Sequence, residues 1–247
     1  MIPLKSDKDL ELLRQSGKIL ARVMRRLGNF VDVGVATSEI DKLAEDLIRQ
    51  DNALPAFKGY KGYPATICAS VNEEVIHGIP GARKLEEGDI ISLDLGVNYE
   101  GYFSDAAFTI GIGKISPQAK KLITVTKDAL SEGIKQARPK NHLGDISYAI
   151  QNYVERNGFS VVRQFVGHGI GEDLHEEPEI PNFGLAHQGA LLKSGMVFAI
   201  EPMVNMGTWE TEILENGWTA VTRDRMPSAH FEHTVLITDD GAQILTQ

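Results

Sequence analysis

The chain reads as a mixed α/β protein of two related halves, and three features of the sequence carry that expectation. Paired amphipathic stretches precede β-rich stretches, this order recurs in the second half, and matched positions keep a nearly constant offset.

In the first half, Ser6 is placed to cap a helix whose apolar residues Leu10, Leu13, Leu20, Met24 and Leu27 share one face. A second helix over "VATSEIDKLAEDLIRQ" turns Ile40, Leu43, Ala44, Leu47 and Ile48 inward. Gly- and Tyr-rich turns follow, and then "DIISLDLGVNYEGYFSDAAFTIGIG" predicts two strands around a turn at Asn98 to Gly101. The second half opens the same way, with Ser116 as cap and Pro117 at the first helical position. Leu122, Thr126, Leu130 and Ile134 hold one face of that helix. In "GDISYAIQNYVERNG", Ile146, Ala149, Ile150, Tyr153 and Val154 match the inward residues of the earlier helix at an offset of 106. "KLEEGDIISLDL" and "ALLKSGMVFAIEP" align through Gly88 and Gly195 at 107, which lays Asp94 on Glu201. One domain over 1–247 is expected, its pseudo-two-fold halves roughly 5–112 and 113–247, with a pocket between them.

Composition narrows the function. With 247 residues, 42% of them hydrophobic, the chain can bury a large core. A net charge of −9 argues against a binder of phosphate backbones, so no specific nucleic acid partner is expected. "MIPLKSDKDLELL" puts charges where a signal peptide needs an apolar core, and no apolar run approaches the roughly 18 residues of a membrane helix. A cytoplasmic protein without membrane contact is the expectation. Cys68 is the only cysteine, so a metal would have to be held by His, Asp and Glu.

Carboxylates in apolar strands supply the strongest local signal. With Val97 placed opposite Tyr102, Asp94 would face Asp105, and like charges opposite one another destabilise a sheet. A lone strand carboxylate ordinarily lies on a solvated face, but Ile91, Leu93, Leu95, Phe108 and Ile110 describe a buried pair of strands. Glu201 raises the same problem within "GMVFAIEPMV". Glu232 raises it in "SAHFEHTVLI", which as one strand puts His230, Glu232, Thr234 and Leu236 on one face. No lysine or arginine neighbours these groups in their strands, so shared cations fit better than ion pairs, and two divalent ions are the natural way to share four carboxylates. His168 lies between glycines in "FVGHGIGEDLHEEP", which permits close backbone approach. His175 follows seven residues later, outside the zincin pattern because position 179 is Glu, behind Pro178. His77, before a Gly in "VNEEVIHGIP", is presented from a turn.

Taken in order, Asp94, Asp105, "GHGIG", "HEEP", "IEPMV" and "FEHT" closely resemble the type I methionine aminopeptidases, from about residue 4 to the C-terminus. The resemblance implies the pita-bread fold, in which two pseudo-symmetric αα-ββ halves surround a central antiparallel sheet. It implies that Asp94, Asp105, His168, Glu201 and Glu232 hold two divalent ions (Co, Mn, Fe or Zn), with Asp105 and Glu232 bridging. A metal-bridged hydroxide would attack the scissile carbonyl, Glu201 would relay its proton, and His77 and His175 would orient the peptide. The methionine pocket would draw on Phe57, Tyr60, Tyr63, Cys68, Leu174 and Trp218, although core packing accounts equally well for Phe57 and Leu174. Initiator methionine would be removed from nascent polypeptides with a small second residue, by a monomer that meets the ribosome transiently.

Three departures from the family stand out. His230 replaces the usual Gln before "FEHT" and is expected near the metal pair; Lys140 replaces a common glycine; and no N-terminal extension precedes the first helix, as in a bacterial-type enzyme. Two other readings stay open. A proline-specific aminopeptidase usually carries a large extra N-terminal domain, and an RNA or ribosome adaptor of this fold generally loses metal ligands. The Lys and Tyr residues of "FKGYKGYP" weigh little toward RNA in an acidic chain.

Overall fold

The structure, a computed structural model, describes residues 2–247. Helix α1 (Asp7–Phe30) starts at Ser6, whose hydroxyl accepts from Asp9 N while its own N–H donates to the Asp9 carboxylate at 2.8 Å. This capping box pairs two donors that a helix start leaves free. Leu13, Leu20 and Leu27, seven residues apart, are buried along one face of α1. Helix α2 (Thr37–Gln50) buries Ile40, Ala44 and Ile48. The strands β1 (Leu54–Pro55), β2 (Cys68–Val71), β3 (Glu74–Ile76), β4 (Ile90–Tyr99) and β5 (Tyr102–Gly111) follow.

The second run begins with α3 (Pro117–Gln136) and α4 (Leu143–Arg156). It continues through β6 (Ser160–Val161), β7 (Gly167–Gly169), β8 (Glu176–Ile180), β9 (Val197–Ile200) and β10 (Met203–Asn205). The chain ends with β11 (Thr211–Ile213), β12 (Ala220–Thr222), β13 (Ser228–His230), β14 (His233–Thr238) and β15 (Gly241–Ile244). Both ends of α4 lie 106 residues beyond those of α2, as the sequence echo requires. Gly88 and Gly195 both adopt positive φ, 101° and 89°, in the turns leading to β4 and β9. Only glycine enters that region without strain.

All strand pairs are antiparallel. β4 pairs β5 along one edge and β1 and β2 along the other, while β15, β14, β9, β7 and β8 form a five-stranded sheet. One core cluster packs α1 and α2 on β4, and a second packs α3 and α4 on β9 and β14. A third, holding Leu13, Phe57, Tyr63, Leu174 and Val197, draws on both runs.

Two details of the hairpins differ from expectation. The turn after β4 is Glu100–Gly101 alone, both at positive φ (51° and 88°), so the strands extend to Tyr99 and Tyr102. That two-residue geometry matches strand twist and slips the register by two. Asp94 therefore opposes Ala107 and Asp105 opposes Gly96. A slip of two keeps both aspartates on the same face, as diagonal neighbours. "SAHFEHTVLI" is also two strands: β13 pairs β10, β14 pairs β9, and Phe231 and Glu232 fall in the gap.

The two runs are stitched by threonines. Thr109 Oγ1 accepts from His230 N and donates to His230 O, each at 2.8 Å. Thr234 Oγ1 does the same for Asp105, at 2.9 and 2.8 Å. Between them, Glu232 N donates to Ala107 O at 2.9 Å.

Candidate metal centre and pocket

The seam between the runs brings the acidic residues together. Asp94 comes from β4, Asp105 from β5, His168 from β7, Glu201 from the step between β9 and β10, and Glu232 from the gap before β14. Ligand atoms of Asp105, His168 and Glu232 lie within 4.8 Å of one another. His168 Nε2 is 3.4 Å from Glu201 Oε1. Its Nδ1–H donates to Gly169 O at 2.8 Å, because a carbonyl can only accept, so Nε2 keeps its lone pair for the cluster. A hydrogen bond of this kind fixes tautomer and ring orientation in metal-binding histidines.

Burial sets the electrostatics. It pushes the Asp94 carboxyl up to about 7. Asp105 is raised well above the usual carboxylate range by burial and by the charge of Asp94. Glu201 and Glu232 are driven up by burial and then by the neighbouring carboxylates. Burial also lowers His168 and His77 to about 4 and His175 to about 3, so the imidazoles are neutral at neutral pH.

Among the described residues, Asp94 Oδ1, Asp105 Oδ1 and Glu232 Oε1 are buried without any hydrogen-bond partner. Orphaned carboxylate oxygens facing one another are costly to bury, and hard or borderline divalent cations satisfy such a set. With one imidazole lone pair, carboxylate oxygens, and a Cys68 thiol that burial keeps protonated, the donors fit oxygen-preferring transition metals. A second group, His142, Asp145 and His187, differs in kind. Both Asp145 oxygens already accept backbone N–H groups, from His142 at 2.7 Å and His187 at 2.8 Å, at the positive start of α4.

Above the cluster opens a cavity of about 290 Å³. Phe57, Tyr63, Cys68, Leu174 and Trp218 form its apolar part, and Tyr60, His77 and His175 reach into it. Every pocket residue named from the sequence lines it. His175 Nδ1 is hydrogen-bonded to the Tyr60 hydroxyl at 2.9 Å, and its ring lies 4.2 Å from that of His168. Trp218 packs edge-on against Tyr63 at 5.1 Å and His77 at 6.2 Å. Its turn is held by Asn216, whose side-chain Oδ1 accepts from Trp218 N and Thr219 N. His77 directly follows β3 and has φ of 58°, a left-handed conformation. Phe57 and Leu174 belong to the third core cluster as well as to the cavity wall.

Sequence reasoning missed Ile76, Gln164, Phe165 and Val166, which also line the cavity. Phe165 stacks edge-on to His77 at 5.8 Å. Its place just upstream of "GHGIG" is the one signal that could have marked it. A larger cavity, about 810 Å³ beside α1 and α3, has no aspartate or glutamate among the described residues of its wall.

His230 lies next to Glu201. It is fully buried, with Nε2 3.9 Å from Glu201 Oε2.

The whole chain is similar to known metallopeptidases. The pattern of metallopeptidase family M24 matches residues 11–239. A methionine aminopeptidase of Clostridium perfringens is 52% identical over 246 residues, covering 100% of this chain and 99% of that one. The crystal structure of methionine aminopeptidase from Rickettsia prowazekii superposes with a TM-score of 0.98 at 42% identity, each chain covered in full. A prolidase from Pyrococcus horikoshii shares the fold at a TM-score of 0.81 and 22% identity, with 63% of its length covered. Among the described residues, no helix is long and apolar enough to cross a membrane.

Proposed function

The chain belongs to metallopeptidase family M24, alongside the methionine aminopeptidases, and we propose that it removes initiator methionine from new polypeptides whose second residue is small. One observation carries this reading: three buried carboxylates, the partly buried Glu201 and a histidine converge at the floor of a cavity whose apolar part suits one unbranched side chain. Asp94, Asp105, His168, Glu201 and Glu232 would hold two divalent ions, whose metal identity (Co, Mn, Fe or Zn) is left open by oxygen and nitrogen donors. Bound there, the ions would lower the pKa of water and polarise the scissile carbonyl.

The protein's own groups do the rest. Glu201 reaches the cavity and accepts the proton of the attacking water, then delivers it to the leaving amine. His77 and His175, neutral, each offer one N–H toward the peptide carbonyl and the developing oxyanion. The Tyr60 hydroxyl holds the His175 ring, which fixes the direction of its free nitrogen. Phe57, Tyr63, Cys68, Leu174 and Trp218 enclose the thioether and exclude water from it. The organisation belonging to this proposal is one catalytic domain with halves at roughly 5–112 and 113–247, acting in the cytoplasm as a monomer that meets nascent chains at the ribosome.

Release of methionine from Met-Ala peptides, followed by chromatography with and without exhaustive chelation, tests the proposal. Full activity after metal stripping would sink it, and preferential cleavage of X-Pro peptides would favour the proline-specific alternative.

A further inference from the structure

The two runs are related more closely than their helices indicate. Asp105 and His230, Ala107 and Glu232, and Thr109 and Thr234 are each 125 residues apart. The threonine clamps respect that offset: Thr109 holds His230 as Thr234 holds Asp105. Strand register respects it too. Gly96 opposes Asp105 in the first hairpin, and Met203, 107 beyond Gly96, opposes His230 in the second. Asp94 and Glu201 share that offset of 107. His230, and not Glu232, is therefore the counterpart of Asp105, and the Asp94–Asp105 diagonal recurs as Glu201–His230.

The imidazole itself is anomalous. It is 1% exposed, and among the described residues neither ring nitrogen has a hydrogen-bond partner. Each unsatisfied buried polar atom costs about 1–3 kcal/mol. Its Nε2 lies 3.9 Å from Glu201 Oε2. Asp105, Glu201 and Glu232 all line the cavity, whereas His230 does not, so it stands behind Glu201. His168 flanks the other oxygen, Oε1, at 3.4 Å.

We propose that His230 is a positioning residue for Glu201: its Nε2–H donates to Oε2 and holds the carboxylate in the orientation that the metal centre and proton transfer require. Closing the separation to hydrogen-bond length takes a shift of about 1 Å. The inference rests on Glu201 serving a metal centre.

Metal-stripped full-length protein titrated with Co²⁺, by calorimetry and by visible absorption of the bound ion, provides the test. His230→Leu is expected to weaken Co²⁺ binding about 10- to 100-fold, the usual effect of losing a partner behind a ligand, and to change the absorption band. His230→Gln keeps an N–H donor and is expected to restore most of the affinity and the band. Unchanged binding in the leucine variant, or a glutamine variant as weak as leucine, would overturn the proposal. If the leucine variant does not fold, His230→Asn, whose amide stops short of Glu201, replaces it under the same expectation. In metal-free protein labelled with ¹⁵N-histidine, the His230 signal, identified by its loss in His230→Gln, should move on Glu201→Ala. A signal that does not move would overturn the pairing. Wild-type protein that binds no Co²⁺ would defeat the metal reading instead, and the nuclear magnetic resonance arm would still decide the pairing.

Discussion

The two halves build one hairpin twice and put different chemistry on it. In the first, β4 and β5 run unbroken for ten residues each, joined by Glu100 and Gly101. In the second, the same register holds at Met203–His230 and at Ile200–His233, with an interruption between them. Pro202, which has no N–H to donate, lies in that interruption beside Glu201, and Glu232 lies on the other side of it. The offset also grows from 107 before the turn to 125 after it, so the second connection is 18 residues longer. That connection contains β11, β12 and Trp218. Repetition thus supplies the carboxylate cluster, and the departure from repetition supplies a wall of the pocket. Short aspartates reach the seam from a regular ladder, whereas the longer glutamates come from residues released from pairing.

If both halves are needed to hold metal, Asp105→Asn and Glu232→Gln should each lose more than about 100-fold in metal affinity, measured by metal analysis after dialysis. Retention by either variant would confine the centre to one half. Asp94 and Glu201 occupy equivalent places but differ in role. Glu201→Gln should lower kcat about 100- to 10,000-fold even in excess metal, while added metal should partly rescue Asp94→Asn. Equal rescue of both would erase the distinction.

The unequal connection makes a smaller prediction. Trp218→Ala should raise KM for Met-Ala peptides roughly tenfold with little change in kcat, as for loss of uniform binding worth about 1.5 kcal/mol. A fall in kcat alone would mean that Trp218 acts through His77, its edge-on neighbour.

The smallest effect concerns metal-free protein. Asp94, Asp105, Glu201 and Glu232 bind protons more tightly folded than unfolded, so the stability they confer is lost as pH rises through their native values, for Asp94 from 3.8 to about 7. His77, His168, His175, His230 and His233, whose native values are lowered by desolvation, act oppositely, losing stability as pH falls below 6.5. Above about pH 7 the unfolded histidines are mostly neutral, so from there to roughly pH 8, below the ordinary thiol range, the carboxylates dominate. Urea denaturation of stripped protein should show stability declining over that window, and saturating metal should flatten the decline. A flat profile without metal would mean that the carboxylates are not crowded.

Much of this was legible in one dimension. Helical periodicity located α1 to α4, and the offset of 106 between α2 and α4 is the structure's own. The acidic residues of the cluster were recognisable because a charge inside an apolar strand demands a partner. The register of β4 and β5 was not, because it depends on whether the turn closes in two residues or four, and residue types at Asn98 to Gly101 permit either. The break inside "SAHFEHTVLI" was hidden for a related reason. Alternation over ten residues looks continuous until the partner strand is known, and Pro202 is distant in sequence.

The sequence alone therefore determined which groups need a partner, since burying a carboxylate is costly wherever it occurs. Tertiary structure decided which of them face one another and what stands behind them. His230 illustrates the division: its identity as a departure is written in the chain, but its place as the counterpart of Asp105 emerges only when Thr109 and Thr234 lock the two hairpins together. Contacts across more than a hundred residues are set by packing and register, which local patterning does not encode.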